Sequence, residues 1–527
     1  MTKIPFVGLH AHSVAGSIFD AIGYPQEHMD FAYENGMDAL ALTDHGNMNG
    51  LPHQVLHAKK MKEAGKEFKP IFGVEAYFLP SIEDWKQDYE DAKADKKRSK
   101  TLSKDVTATT VEDEDASKKA VRNILNRRRH LILLAQNQEG LSNLFSLISE
   151  SFGPGNYYRY PRVDYRLLKK YSDGVIAASA CLGGVYAGNY WENRENGDEA
   201  VLEAMRETTK QMVDIFGDRW YGELQWNNVP EQHILNKFII KMHEEFNIGL
   251  ISTSDSHYPN PTAWKDRELY KRLGWLGKSK PAYESSEIPD GVEEIGYELY
   301  PRNGNQMWDA YKKYSAECGV EYDDDLVMKS ITNTHHIAHN RIADFLPDNS
   351  VQLPDFVIPA GETADSALEK FCIEGLRLKG LHTDTEYTDR LRMELAVISD
   401  RGFSKYFLTM NEISKKANEV MLTGPGRGSA AGSLVAYALD ITQVDPLKYG
   451  LQFSRFLRAD ATDYPDIDYD VADSMELKEI LISDWGEDKV APISNWNTLQ
   501  LKSLVKDISK LYGIPFTESN AVTGKMM

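Results

Sequence analysis

Short apolar runs recur through the first half of the chain, and most of them end in, or open with, a His, Asp, Glu or Cys. Pro5-Phe-Val-Gly-Leu leads into His10 and His12, Ala39-Leu-Ala-Leu-Thr into Asp44 and His45, and Ile71-Phe-Gly-Val into Glu75. His130 opens Leu-Ile-Leu-Leu-Ala, Val175 to Ala180 ends at Cys181, and Ile248 to Thr253 leads into Asp255 and His257. Runs of this length with helical segments between them predict strands in an α/β arrangement. A period of two puts His10 and His12 on one face of an extended segment. Polar residues at the ends of successive parallel strands gather at one mouth of a barrel-like fold. Asp44 is adjacent to His45 and points the other way, which predicts a supporting role rather than ligation.

Two stretches break this rhythm. Between Ser81 and Arg129 the chain is highly charged with no sustained period, and we expect a solvated or disordered insertion. Its closing Asn126-Arg-Arg-Arg129 offers a contact to a nucleic-acid backbone instead. From about residue 276 the pattern turns helical, with amphipathic registers over Leu368–Leu376, Asp389–Ile398 and Thr409–Val420.

The densest chemistry lies between Gly424 and Asp470. Gly424, Gly426, Gly428 and Gly432 allow close backbone approach, and the apolar run from Leu434 predicts a helix after them. Backbone N–H groups at a helix start, with Arg427 and Ser429 beside them, favour an anion such as phosphate. No Gly-Lys-Ser/Thr follows, so the loop is not a Walker A motif. In Tyr464-Pro-Asp-Ile-Asp-Tyr-Asp-Val471, Asp466, Asp468 and Asp470 alternate with apolar residues and share one face of a strand. Such carboxylates either serve a charged edge strand or converge on a divalent cation.

A chain of 527 residues accommodates two or more domains. Three cysteines argue against a disulfide framework. No apolar run spans a membrane and no secretory leader opens the sequence, so a cytoplasmic location is expected. A net charge of -20 excludes non-specific nucleic-acid binding over the whole surface, although a local basic groove remains compatible with it.

The segment GPGRGSAAGSLVAYALDITQVDPLKYGLQFSRFL followed by PDIDYD resembles the palm of the bacterial C-family replicative polymerases, the DNA polymerase III alpha family. GFSKYFL at Gly402–Leu408 and HNRIADF from His339 resemble it too, and the strand motifs of the first half resemble its amino-terminal PHP domain. The resemblance implies a distorted βα barrel over residues 1–275, interrupted by the 81–129 insertion, then a mixed α+β palm over 276–497 and the start of a helical thumb over 498–527. It implies a metal centre of two or three zinc or manganese ions on His10, His12, Asp20, His45, Glu75, His130, Cys181, Asp255 and His257. In the palm it implies magnesium on Asp466 and Asp468, with Arg427, Gly428, Ser429 and Arg455 toward the nucleotide phosphates. Primer-template DNA and deoxynucleoside triphosphates are the implied ligands.

The family's third palm carboxylate, fingers and remaining thumb lie past the last residue. We therefore expect an amino-terminal portion, split as in a phage gene or truncated. A second polypeptide would complete it and bring replisome partners such as a sliding clamp. Val471-Ala-Asp and Ala461 depart from the family pattern. The alternatives are a stand-alone PHP phosphoesterase and a non-catalytic scaffold holding structural metals. The glycine loop and Asp strand favour the first reading over the second, and the intact ligand set disfavours the third.

Overall fold

The structure, a computed structural model, describes residues 3–105, 121, 123–275, 298–348, 356–358, 360–461, 464–487, 489–493 and 498–526. Packing divides the chain into two units, residues 1–348 with 499–527, and residues 349–498.

The first unit is built on β1 (Ala39–Leu42), β2 (Lys69–Phe78), β3 (Arg129–Ala135), β4 (Tyr157–Tyr158), β5 (Tyr160–Val163), β6 (Val175–Ala178), β7 (Trp220–Gln225) and β8 (Gly249–Thr253). The sheet runs β4-β5-β2-β3-β6-β7-β8, with β1 also paired to β2. The extended segment around Gly8–His12 closes the curl, because Gly8 bridges Leu40 and Ala11 bridges Ser256, both in parallel. A sheet that returns to its own edge in this way leaves a mouth where side chains from distant strands meet.

The strands are not uniformly parallel as the sequence led us to expect. β3 runs antiparallel to both β2 and β6. That reversal explains why His130 opens its strand while His45, Cys181, Asp255 and His257 follow theirs and Glu75 lies in the second half of β2: the start of an antiparallel strand reaches the mouth that its neighbours reach toward their ends.

The first unit also extends beyond the boundary expected at 275, and residues 276–297 lie outside the described residues. Helix Gly304–Glu317 carries Met307, Ala310, Tyr311 and Tyr314 at helical spacing, starts on an Asn303/Gln306 capping box, and buries that stripe in the barrel core. Helix Asp324–His336 adds Val327 and Ile331 to the same core. At the other end of the chain, helices Leu501–Leu511 and Phe516–Thr523, where the thumb start was expected, group with this unit.

The insertion is only partly as expected. Residues 106–120 lie outside the described residues, but Ile82–Asp105 forms a helix. Ile82 and Trp85 are buried, and the buried Arg162 guanidinium lies 4.0 Å from the Trp85 ring. Three apolar positions, Ile82, Trp85 and Tyr89, are too few to show as a sustained period. The arginines that end the insertion are already engaged within the protein. Arg127 pairs with Asp88 at 2.6 Å, Arg128 stacks 4.1 Å from the Tyr160 ring, and Arg129 pairs with Glu192 at 2.5 Å.

Burial makes one histidine of the first unit a stability switch. His28 is fully buried, Nε2–H donates to the Ile22 carbonyl at 3.0 Å, and Nδ1 has no partner. Burial, with His257 nearby, pulls its pKa down to about 4. The unfolded chain takes up this proton near pH 6.5 and the folded one only near 4, so stability falls as pH drops through that window, by about 3 kcal/mol in total. His28→Gln keeps a donor for Ile22 and is expected to flatten the limb between pH 6.5 and 4 in denaturant titrations; an unchanged slope would refute the assignment.

The second unit is helical, with Ala364–Leu378, Thr385–Asp400 and Ser404–Val420 around a core that includes Leu368, Cys372, Phe407 and Leu434. Among its described residues, sheet pairing is limited to an antiparallel bridge between Thr423 and Val471. The Asp-rich run is extended beside the start of the glycine loop, with the Gly424 N–H donating to the Asp470 carbonyl and the Ala472 N–H to that of Leu422, both at 2.9 Å.

Candidate metal centre and carboxylate face

The nine candidate ligands of the first unit converge at the barrel mouth. His10 Nε2 lies 3.0 Å from His12 Nε2, 2.9 Å from Glu75 Oε2 and 3.0 Å from Asp255 Oδ1. His12 Nε2 is 3.6 and 3.2 Å from the same two carboxylate oxygens. The other oxygen of Glu75 is 2.8 Å from His45 Nδ1 and 2.6 Å from His130 Nδ1, and Cys181 Sγ is 3.7 Å from His130 Nδ1. Asp20 Oδ2 stands 2.9 Å from His45 Nε2 and 3.5 Å from His257 Nε2. His12, His45 and His257 bring three ring nitrogens together, so the donors fall into three overlapping groups linked by Glu75, His12 and His45.

These separations fit cations. Ligands about 2.0–2.1 Å from a tetrahedral ion stand roughly 3.3–3.4 Å from one another, and the His10–His12–Glu75–Asp255 distances run from 2.9 to 3.6 Å, four of the five on the short side of that value. The tautomers agree. His10 Nδ1–H donates to Glu223 Oε1 at 2.7 Å, His12 Nδ1–H to Ser17 Oγ at 3.2 Å, and His257 Nδ1–H to the Asp255 carbonyl at 2.8 Å. All three rings thereby turn Nε2 inward. Ser17 in turn donates to Asp44 Oδ1 at 2.8 Å, which gives Asp44 the supporting place expected for it. Asp255 takes a left-handed φ of 48°, a conformation that asparagine and aspartate tolerate better than most residues.

The electrostatics are those of a site short of positive charge. Burial opposes charge on His10, yet Asp255 and Glu223 hold its pKa well above the ordinary histidine value. Burial, with His45 and His257 alongside, holds His12 well below it. Burial pushes the Cys181 thiol well up, and Asp255 and Glu75 add to the effect; a cation beside the sulfur acts in the opposite sense. A cleft of about 270 Å³ opens over the groups and reaches Gln225, Arg267 and Lys271.

Sequence reasoning missed Glu223. It is fully buried on β7, accepts from His10, from Thr253 Oγ1 and from Gln225 Nε2, and its Oε2 has no partner. Its signal was a carboxylate inside the otherwise uncharged run WYGELQ.

Comparison with known proteins supplies the context. A PHP domain model matches residues 8–227, and the model described as the bacterial DNA polymerase III alpha NTPase domain matches residues 366–527. DNA polymerase III subunit alpha of Aquifex aeolicus is 34% identical over 526 residues, which is 98% of this chain. The chain belongs to the DNA polymerase III alpha family. The alpha subunit of Borreliella burgdorferi is 33% identical over 98% of the chain, and that of Thermus aquaticus 30% identical over 98%. The chain spans 40% of the length of the Aquifex and Borreliella proteins. No described helix is long and apolar enough to cross a membrane.

In the polymerase-matching unit, the structure separates what the sequence grouped. Arg427 turns to the Asp face, with Nη1 3.1 Å from Asp468 Oδ1 and Nε 2.9 Å from Asp470 Oδ1. Gly428, Ser429 and Arg455 line a different cleft of about 630 Å³ with Gly432, Leu451 and Gln452. Gly428 has φ of 70°, and a Cβ there would stand 2.3 Å from Asp468 Oδ2, so the loop passes the carboxylates at a distance only glycine permits. Asp466 and Asp470 are exposed and Asp468 half-buried, while Ile467 packs into the core on the opposite side.

The helix expected to present N–H groups to phosphate is short, Leu434–Ala438, and its start is already filled. The buried Glu394 carboxylate accepts from the N–H groups of Leu434 and Val435 and from Ser433 Oγ, each at 3.0 Å. The anion at this helix start is the protein's own, so an incoming phosphate would meet Ser429 and Arg455 rather than the helix N–H groups.

Proposed function

We propose that the chain is the amino-terminal portion of a replicative DNA polymerase alpha subunit, with a metal-dependent phosphodiesterase in its barrel and half of a nucleotidyl-transfer site in its second unit. One observation carries the reading: seven of the nine proposed donors fall into three mutually close groups, with Asp20 beside His45 and Cys181 beside His130, on a chain whose residues 366–527 match a polymerase model. Zinc or manganese suits the mixed barrel donors, and magnesium suits Asp466 and Asp468.

A cation in the barrel supplies Lewis-acid polarisation of a phosphoryl group and lowers the pKa of water. The chain's own groups do the rest. Arg267 is held by Asp20 at 2.8 Å and, with Lys271, brings positive charge to the cleft where a phosphodiester would lie. At the 3′ end of a DNA strand, water attacks phosphorus, the P–O3′ bond breaks, and a nucleoside 5′-monophosphate leaves while the shortened strand keeps a 3′ hydroxyl.

In the second unit, Asp466 and Asp468 give part of a two-metal clamp. The third carboxylate, fingers and the path to a sliding clamp belong to the polypeptide proposed to complete it. The alternative of a stand-alone phosphoesterase leaves the glycine loop and Asp face unexplained.

The test separates the two units. Manganese- or zinc-stimulated release of 5′-monophosphates from single-stranded DNA is expected from the chain alone, lost in Asp255→Asn and His257→Ala, and retained in Asp466→Asn. Template-directed extension is expected only with the completing polypeptide, and is lost in Asp466→Asn or Asp468→Asn. Equal loss of hydrolysis in Asp466→Asn would reject the barrel assignment.

A further inference from the structure

At the opposite end of β1 from the metal centre, a second set of donors converges. We propose that Asp38, His335 and His339 form a separate binding site for a zinc-type divalent cation. Asp38 Oδ1 lies 3.1 Å from His339 Nε2, and its Oδ2 lies 3.5 Å from His335 Nε2. One ligand atom from each of the three residues lies within 4.8 Å of the other two. The two distances are to different oxygens of one carboxylate, and each lies near the roughly 3.3–3.4 Å expected between ligands of a tetrahedral ion with bonds of about 2.0–2.1 Å.

The scaffold holds the geometry independently of any ion. His335 lies in the last turn of helix Asp324–His336, and His339 in the π turn Ile337–Arg341 that follows it. Single π turns are frequent at functional sites because they re-aim a side chain relative to the preceding helix. Here the two imidazole rings stand 4.3 Å apart, centroid to centroid. Lys69 Nζ, at the start of β2, donates to the carbonyls of Ala338 at 2.8 Å and Ile342 at 2.6 Å, and the Ala343 N–H donates to the Gln136 carbonyl at 2.8 Å. These bonds fix the turn to the barrel beside Asp38. His336 is turned away, to Asn340.

A plain ion pair accounts less well for the arrangement. Exposed pairs contribute only about 0–1 kcal/mol. Crowding two rings onto one carboxylate therefore gains little without a cation to share. Two imidazole nitrogens and one carboxylate oxygen select zinc, cobalt, nickel or copper over magnesium. A cleft of about 760 Å³ borders Asp38 and His339, leaving room for water as a fourth ligand.

Equilibrium dialysis of the full chain against zinc, followed by metal analysis, tests this. The double variant His335→Gln/His339→Gln is expected to bind one zinc fewer than the wild type while keeping its phosphodiesterase activity. With copper(II) as probe, the wild type is expected to give an additional electron paramagnetic resonance signal with nitrogen hyperfine coupling that the double variant lacks. Equal zinc content with unchanged copper spectra would overturn the site. Should the double variant fail to fold by circular dichroism, Asp38→Asn is read by competition with a chromophoric chelator. The weakest site is then expected to lose affinity by about tenfold or more, and unchanged affinity would overturn the proposal equally.

Discussion

Glu75→Ala is expected to empty most of the barrel centre and to abolish phosphodiester hydrolysis. Its two oxygens face four of the histidines. Glu75 is fully buried on β2, one oxygen facing His10 and His12 and the other facing His45 and His130. Two of the three donor groups contain it, and the third shares His12 and His45 with them. Removing the carboxylate takes a donor from two of the three groups at once and leaves four imidazoles facing one another. Metal analysis after exhaustive dialysis should show at least two ions lost relative to the wild type.

Hydrolysis should fall to background even at high manganese. Because the site is buried, losing one charged partner should also lower stability by about 3–5 kcal/mol, and metal binding that is coupled to folding adds to the difference. Glu75→Gln keeps one acceptor oxygen and should retain part of the metal. A Glu75→Ala protein with wild-type metal content would break the link between this geometry and cation binding.

Most of the barrel candidates were legible as ligating residue types at the edge of an apolar run, where strands reach a mouth, whereas Asp20 was placed only by the family resemblance. Strand direction was not legible. Hydrophobic alternation is the same read forward or backward, so β3 had to be seen to be known as antiparallel. Glu223 was missed for a different reason. The reading looked at the ends of runs, and Glu223 sits inside one, where a buried carboxylate supports His10 from behind.

The helix Ile82–Asp105 escaped because its buried face is only a few side chains wide amid dense charge. Helices 304–336, expected with the second half of the chain, pack in the first unit; their amphipathic stripe says that a face is buried and not against what. In the second unit, the alternation of Asp466, Asp468 and Asp470 with apolar neighbours was readable. That Arg427 spans two of these carboxylates while Arg455 stays with Ser429 depends on how the loop turns, which glycines permit without specifying.

Glu394 carries the other large expectation, and it too had a signal in the sequence. It falls in helical register with the buried Leu391 and Ile398, a carboxylate on an apolar stripe. There it ties its own helix to the 433–435 segment. Oε1 accepts from Arg390 Nε at 2.6 Å and from the Leu434 N–H, while Oε2 accepts from Ser433 Oγ and the Val435 N–H. Arg390 continues the connection through Nη2 to the carbonyls of Gly432 at 2.9 Å and Leu451 at 3.2 Å, both in residues that wall the Ser429–Arg455 cleft.

Glu394→Ala removes the acceptor of two buried N–H groups and a hydroxyl and leaves a mostly buried guanidinium unpaired. The expected cost is about 3–5 kcal/mol. Glu394→Gln replaces one acceptor oxygen by an amide that faces donors, and should cost about 1–3 kcal/mol. Urea titrations followed by a probe in the second unit should rank the three proteins in that order. Deoxynucleoside triphosphate binding should weaken in parallel, since both cleft walls lose their anchor, while metal content and hydrolysis at the barrel stay at wild-type levels. Glu394→Ala unfolding at the wild-type urea concentration would mean that the Glu394–Arg390 pair does not hold the loop.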